Sequence, residues 1–351
     1  MKTFFLQVKD VIQETANAIT IQFWHPLSEQ INYKAGQFLT LIVPADEGEN
    51  IRRSYSMSSS PTADTAVAVT VKRVNGGKAS NYLCDNIKKG DFIEAIEPMG
   101  KFFIEPDADK ERHIVLIGAG SGITPLISMA KTILKGEPKS KVSMIYGNRT
   151  AKDIIFRKEL MDMEVKYSER FKLSHVLSQA DDAWAGLRGR INKANIVVML
   201  KDLDVHFRNE EYYLCGPATM MEEVMATLEM FEVPEEQIHK ENFNAPMLEG
   251  ESEMPEVILH TAHTITVNYL DETYSIKVEP HQTVLEAALE MDIDLPYSCQ
   301  AGMCTACLGK CTSGTIKMDE DDGLTKKEIE EGWVLTCVSR PMTDDVVIDV
   351  E

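Results

Sequence analysis

Over roughly the first hundred residues, short apolar and β-branched runs alternate with turn-forming clusters. Runs at 4–11, 18–24, 38–43, 66–74 and 92–96 are separated by Gly, Pro, Asn and Asp at short intervals. That spacing predicts antiparallel strands closing into a small barrel or sandwich. One stretch, 80–87, breaks the period and reads as a helix with Ser80 as its N-cap.

From about residue 110 the period changes. Strand-like runs at 113–117, 142–146, 172–176 and 211–214 alternate with amphipathic runs at 123–134, 152–163, 192–200 and 217–230. Such alternation predicts a parallel sheet with helices on both faces. Residues 244–255 lose all periodicity and are rich in Pro, Gly and acidic side chains, the composition of a linker. Beyond it come β-rich runs at 257–270 and 274–278, a helix at 283–291, and a cysteine-bearing loop with closing strands. The expected organisation is a β-domain over 1–106, an α/β domain over 107–243, a linker over 244–256 and a last domain over 257–351.

Composition narrows the classes. A chain of 351 residues suits two or three domains, and 44% apolar with 26% charged residues is ordinary for a globular protein. The longest apolar runs, 113–117 and 196–200, fall far short of the ~18 residues of a membrane span. Residues 3–8 are too short for a signal-peptide core, so a cytoplasmic location with no membrane partner is expected. The net charge is −20, and from Val257 onward 18 acidic residues stand against 6 Lys and Arg, a formal −12. Nucleic acid is a poor partner for that surface, and none is expected. It is either a docking face for a basic protein or a solvated acidic face.

The cysteines bring in chemistry. Seven occur without a secretion signal, which argues against a disulfide framework, and five of them lie between Cys299 and Cys337. Cys299, Cys304, Cys307 and Cys337 follow the plant-type C-x4-C-x2-C…C pattern for a [2Fe–2S] cluster. Cys311, on the run after the loop, reads as a spare thiol. A zinc module is the rival, but zinc sites usually show two close pairs, whereas here three candidates crowd one loop.

Four other segments carry candidate chemistry. Arg52, Arg53, Ser54, Tyr55 and Ser56 put guanidinium, ring and hydroxyl on one extended stretch, suited to a phosphate and a flat heterocycle. Gly76, Gly77, Lys78, Ala79 and Ser80 form a glycine turn running into a helix start, an anion site. Gly118, Gly120 and Gly122, followed by Ile123, Thr124 and Pro125, join the first strand of the α/β domain to its helix. This is G-x-G-x-G rather than the dinucleotide fingerprint G-x-G-x-x-G, yet it offers a pyrophosphate the same approach to a helix N-terminus. Cys215, Gly216 and Pro217 end the last strand, at the sheet edge where ligands bind.

In this order the motifs resemble those of the ferredoxin–NADP reductase superfamily, in the arrangement with a plant-type ferredoxin domain fused at the C-terminus. The domain order is most similar to oxygenase reductases of the phenylacetyl-CoA epoxygenase type. The resemblance implies a flavin-binding antiparallel β-barrel, a nicotinamide-dinucleotide α/β domain and an α+β β-grasp ferredoxin domain. By it, Arg53 pairs with the flavin pyrophosphate, Tyr55 stacks on the ring, Ser56 sits at the reactive edge, and Gly77 and Ser80 add phosphate contacts. Gly118, Gly120, Gly122, Thr124 and Pro125 take the dinucleotide, and Cys215, Gly216 and Pro217 flank the nicotinamide. Glu241 and Phe243 match the family's E-x-F beside the flavin.

FAD is implied over FMN by Val71, Lys72 and Arg73 leading into Gly77 and Ser80. Where NADPH-using members carry Ser-Arg, this chain has Ser178 and Gln179, leaving Arg149 to meet a 2′-phosphate. NADPH is favoured, with NADH possible. The implied reaction passes hydride to flavin in a pocket of Ser56, Cys215 and Glu241, then single electrons through the cluster to an oxygenase component. That acceptor would be a multicomponent non-haem iron monooxygenase. The other readings are a general reductase for another hydroxylase or desaturase, and the zinc module.

Overall fold

The structure is a computed structural model that describes residues 2–25, 30–44, 50–243, 261–320 and 323–350. The chain divides into two compact units, Lys2–Phe243 and Asn244–Glu351. The expected linker, 244–256, lies outside the described residues.

The first unit opens with β1 (Thr3–Thr15), β2 (Ala18–Phe23), β3 (Phe38–Pro44), β4 (Asn50–Ser56), β5 (Val67–Lys72), α1 (Lys78–Asn86) and β6 (Phe92–Met99). The strands form one antiparallel sheet in the order β4-β3-β6-β1-β2-β5. Past β4 the chain reaches over to β5, where Met57 bridges Val69 and Ser58 N donates to Ala68 O at 2.8 Å, closing the sheet into a barrel. Alternate residues fill it, including Leu6, Ile21, Leu39, Leu41 and Val69, with Leu83 of α1 as the plug. Ser80 is not the helix cap. Gly77 holds that position, and a Cβ there would stand 2.8 Å from Ser80 Oγ. Ser80 lies buried in the first turn and accepts from Val74 N at 3.1 Å.

The same unit continues through β7 (His113–Ala119), α2 (Ile123–Gly136), β8 (Lys141–Asn148), α3 (Arg157–Lys166), β9 (Phe171–Leu177), β10 (Leu187–Arg188), α4 (Lys193–Asp202), β11 (Glu211–Gly216), α5 (Ala218–Met230) and β12 (Ile238–Asn242). All six strands are parallel, in the order β10-β9-β8-β7-β11-β12. The chain builds outward from β7 to β10, then jumps back to β11, so the carboxyl ends of β7 and β11 flank the switch point where α/β sheets bind ligands. Ile114 and Leu116 pack with α2 and α3, while Val115 and Ile117 pack with α4 and α5. Ala18, Ala35, Phe102 and Ile104 of the barrel half join the α2 side, giving one continuous core. The helix expected at 152–163 is broken. Thr150 and Asp153 close a capping box on a short 3-10 turn, Ile154 and Ile155 dive into the core, and α3 starts after Phe156 at φ 59°.

The second unit holds β13 (His263–Tyr269), β14 (Glu272–Val278), α6 (Val284–Glu290), β15 (Leu308–Ser313), β16 (Ile316–Met318), α7 (Lys326–Glu330), β17 (Trp333–Leu335), β18 (Ser339–Pro341) and β19 (Val347–Val350). Its five-stranded sheet runs β14-β13-β19-β15-β17 with β13 and β19 parallel at the centre, and β16 and β18 form a small side sheet. Helix α6, started by a capping box between Thr283 and Glu286, buries Leu285 and Ala288 in one core with Ile265, Val267 and Ile348. This is a β-grasp. Residues 257–260 of the expected first run lie outside the described residues.

Candidate functional site

Three strand ends meet in the first unit. Ser56 closes β4 and is 5% exposed; its Oγ lies 3.5 Å from Oε2 of Glu241, itself 4% exposed on β12. In the sheet, Glu241 is the register partner of Cys215, which is fully buried on β11 and pairs on its other side with Gly118. Burial, and then the Glu241 charge, push the Cys215 thiol well above its ordinary range, so it stands there neutral. The structure thus brings Ser56, Cys215 and Glu241 together from the barrel and from two strands of the parallel sheet. Phe243 follows directly and is 39% exposed.

On β4, Arg53 and Tyr55 sit two apart and share the face opposite Ser56. Burial pushes the Tyr55 phenol up against the pull of the nearby Arg53 guanidinium, and Cys84 of α1 is close enough to add to that rise. Tyr55 packs on the barrel core, and Gly77 opens α1 beside the same core. A guanidinium, a partly exposed ring and a helix N-terminus therefore border one side of the barrel, a fit for a flavin dinucleotide.

The glycine turn divides its labour. A Cβ on Gly122 would lie 2.0 Å from Cys215 O, and one on Gly118 would lie 2.6 Å from Leu126 Cδ1. Both positions need glycine for the protein's own packing. Gly216 is similar, since its Cβ would meet Met220 Cε at 2.8 Å. Gly120 differs: it stands at φ +58°, and a Cβ there would meet only Lys72 Nζ, at 3.2 Å. That open side is the cradle a pyrophosphate would fill. Thr124 and Pro125 are buried in the first turn of α2, with Thr124 Oγ1 turned back to donate to Ser121 O at 3.0 Å. They shape the turn; neither is open to a ligand. Pro217 is the N-cap of α5.

Two residues at this turn were missed as site residues. Lys72 of β5 brings a cation over Gly120; burial draws its pKa down, Asp153 lifts it and Arg149 lowers it further. Tyr146 donates its hydroxyl hydrogen to Gly120 O at 2.9 Å and fixes the turn from below. Lys72 lies in a run that points only to the choice between flavins, and the turn that carries Gly120 is 48 positions downstream in another period of the sequence. No local signal joins the two.

At the same sheet edge, the loops after β8 and β9 are tied by Ser178 N donating to Asn148 O at 3.0 Å and Gln179 N donating to Arg149 O at 2.8 Å. Arg149 and Ser178 are both exposed there.

In the second unit, the loop before β15 gathers four thiols. Cys304, Cys307 and Cys337 are buried and Cys299 is half-buried. Hydrogen bonds link them in a chain, Cys304 to Cys299, Cys299 to Cys337, and Cys337 to Cys307. Thr336 N and Oγ1 both donate to Cys307 O, at 3.0 and 3.2 Å, which seats Cys337 beside the loop. The loop can wrap because Gln300 and Gly302 take left-handed φ values of 53° and 68°. Ala301 N then donates to Cys299 Sγ at 3.4 Å. Hydrogen bonds from Cys304 and Cys337, with help from Ala301 N, draw the Cys299 thiol well below its ordinary range, and Cys337 likewise draws Cys307 down. Cys304 and Cys337 are pushed up as the donors of those bonds. Four neighbouring thiols, three of them buried, can all be thiolates only against positive charge, which the two ferric ions of a cluster would supply. Cys311 stands outside the chain, with its Sγ directed to Ser313 O at 3.1 Å.

Among the described residues no helix is long and apolar enough to cross a membrane. Three family models match in sequence order: an oxidoreductase FAD-binding domain over residues 5–104, an oxidoreductase NAD-binding domain over 116–226, and a 2Fe-2S iron-sulfur cluster binding domain over 267–342. One of the subunits of the 1,2-phenylacetyl-CoA epoxidase of Escherichia coli (strain K12) is 35% identical, the match covering 100% of this chain and 99% of that one. The ferredoxin reductase component of a 3-ketosteroid-9-alpha-monooxygenase from Rhodococcus rhodochrous is 34% identical, over 99% and 97%. The solved phthalate dioxygenase reductase shares the fold with a TM-score of 0.64 at 22% identity, over 99% of this chain and 98% of that one.

Proposed function

This chain belongs to the family of oxygenase reductase components that carry FAD-binding, NAD-binding and 2Fe-2S domains in one polypeptide, and from that premise we propose that it takes hydride from NADPH, or NADH, and delivers single electrons to the oxygenase component of a phenylacetyl-CoA epoxygenase-type system. The observation that carries the reading is the convergence of Ser56, Cys215 and Glu241 in a chain that also builds a four-thiol bay. The first supports an entry for two electrons as hydride. The second supports an exit for one at a time.

When bound, FAD accepts hydride from the nicotinamide and a [2Fe–2S] cluster carries single electrons onward. The protein's part is placement. Arg53 and the α1 N-terminus at Gly77 hold the flavin pyrophosphate, and Tyr55 orients the ring. The Gly120 turn and Lys72 hold the dinucleotide phosphates. Cys215, neutral and small, forms the floor of the pocket without placing a charge beside the transferring hydride. Glu241 accepts from Ser56 Oγ and so fixes the hydroxyl at the junction of barrel and sheet. Phe243 covers the pocket mouth. Cys299, Cys304, Cys307 and Cys337 hold the cluster, with Ala301 N steadying the first sulfur. The acidic second unit suits a basic face on the acceptor.

The likeness to a ketosteroid monooxygenase component supports a second reading, a reductase of the same design serving another oxygenase. Cys304→Ser tests the wiring. The variant should lose the cluster's absorption and all delivery to a one-electron protein acceptor, while bleaching of the flavin by reduced nucleotide stays within about twofold. Normal delivery by the variant would refute the route. Assay of the purified protein with each candidate oxygenase component then separates the two readings.

A further inference from the structure

Of the four thiols, Cys337 alone comes from outside the loop before β15, so its place depends on how its own neighbours are held. It sits in a 3-10 turn, Thr336–Val338, directly after β17. Both flanks of that turn are tied to the small side sheet. Asp319 N, just past β16, donates to Val338 O at 2.9 Å, and Arg340 Nε of β18 donates to Asp319 Oδ2 at 2.7 Å. On the other flank, Leu335 is wholly buried and a side chain takes each of its backbone groups. Its N–H donates to Met318 Sδ at 3.3 Å, and its C=O accepts from Ser339 Oγ at 2.7 Å. Met318 and Ser339 are register partners in the β16–β18 pair. One rung of the side sheet grips one residue, two positions before the fourth thiol.

The grip answers a physical need. A buried backbone N–H must find an acceptor. β17 is the last strand of its sheet among the described residues, so no further ladder takes this one. Met318 packs on the core of this unit, a task Leu could perform equally. Its sulfur does what Leu cannot, because a thioether accepts a hydrogen bond. A carboxylate at the same point would accept more strongly, but would set another negative charge near four thiolates. From Leu335 the constraint passes to Thr336, whose N and Oγ1 both bond Cys307 O, and so to Cys337.

We infer that Met318 is a positioning residue for the cluster: its thioether, paired with the Ser339 hydroxyl, clamps Leu335 and so holds Cys337 where a fourth thiolate closes the site. That role rests on the proposed reading of Cys299, Cys304, Cys307 and Cys337 as the cluster's ligands. The side sheet is then part of the electron outlet, though none of its residues belongs to the cysteine pattern.

The test compares the full-length holoprotein with Met318→Leu, which keeps the apolar volume and deletes the acceptor, and Met318→Gln, which keeps the length and an acceptor oxygen. Iron release to a coloured ferrous chelator measures cluster lifetime, and low-temperature electron paramagnetic resonance of the reduced protein reads the ligand geometry. Met318→Leu should release iron about tenfold faster, the scale of losing a supporting contact behind a metal ligand, and its signal should broaden into more than one species. Met318→Gln should stay close to the wild type in both. Flavin reduction by nucleotide should keep the wild-type rate in all three proteins. Wild-type lifetime and signal in Met318→Leu, or equal damage in both variants, overturns the inference while leaving the proposed function in place. A wild-type protein that carries flavin but shows no iron–sulfur signal overturns the proposed function and the inference with it. If Met318→Leu fails to fold, Met318→Gln decides: a lifetime close to the wild type supports the inference, and a tenfold loss overturns it.

Discussion

Ser56 Oγ and Glu241 Oε2 are 185 residues apart in the chain and 3.5 Å apart in space. The first stands on the last residue of a barrel strand, the second on the edge strand of the parallel sheet. On the proposed reading, a hydrogen bond across that junction sets where the barrel's ligand and the sheet's ligand face each other. Replacing Ser56 with Ala should slow flavin reduction by nucleotide about 10- to 100-fold, the scale of a small misplacement of reacting groups, with flavin still bound. Anaerobic rapid mixing followed at the flavin band measures it. An unchanged rate would mean that the pair does no positioning.

The glycine turn separates a packing role from a binding role. Gly122→Ala drives a methyl to 2.0 Å from Cys215 O, so the strand end must shift, and ~1–3 kcal/mol of stability should go with it. Gly120→Ala instead forces a side chain into φ +58°, at about 1–2 kcal/mol, and pushes on Lys72 Nζ. Thermal melting should show a loss in both variants. Only Gly120→Ala should raise KM for the nucleotide while leaving the environment of the Cys215 thiol as it was.

Most of the layout was legible in sequence because its signals are local. Period-two runs gave five of the six barrel strands, and the alternation with amphipathic runs gave β7, β8, β9 and β11 with α2, α4 and α5. The illegible parts depend on distant partners. β12 is five residues of mixed polarity, Ile238–Asn242, that become a strand only because β11 offers an open edge. The helix expected at 152–163 fails because Ile154 and Ile155 are worth more in the core than in a helix turn. Ser80 carries a cap-forming side chain, but its hydroxyl accepts from Val74 N from within the first turn, and the helix already starts at Lys78. Lys72 belongs to the glycine turn only through the docking of barrel on sheet.

At the far edge of the same sheet, Glu137 is wholly buried and meets Arg112 through Nη2 at 2.7 Å and Nε at 3.1 Å. Burial alone would raise its pKa, but hydrogen bonds from Arg112, Ser140 Oγ and Asp107 N hold the carboxyl below its usual range. The sign follows: a depressed folded pKa gives stability that is present above about 4.5 and lost as pH falls through the folded value. Arg112 keeps the Glu211 carboxylate on Nη1 at 2.9 Å, so Glu137→Gln should cost roughly 1–3 kcal/mol at neutral pH, the loss of a charged acceptor for Arg112, Ser140 Oγ and Asp107 N. Its melting midpoint should also fall less steeply with acid than that of the wild type. Parallel acid slopes would remove Glu137 from the account.

On the proposed reading, choice of nucleotide turns on Arg149. The neighbouring loop offers Ser178 and Gln179, tied by their backbone N–H groups to Asn148 O and Arg149 O, and the Arg188 guanidinium on that side is engaged by the loop's own carbonyls of Ala180, Asp181 and Trp184. Arg149 is exposed at the same edge, and its charge is felt by Lys72 over the Gly120 turn; on the proposed reading it would meet the adenosine half of the dinucleotide. A guanidinium there binds a 2′-phosphate by paired, charge-assisted hydrogen bonds and gains little from a bare 2′-hydroxyl. Arg149→Ala should therefore raise KM for NADPH about tenfold, equal to ~1.4 kcal/mol, and leave KM for NADH within about twofold. Steady-state reduction of a chemical acceptor with each nucleotide measures the ratio independently of any oxygenase. A variant that weakens both nucleotides alike would show Arg149 binding the pyrophosphate they share, and the preference for NADPH would then lose its support in this chain.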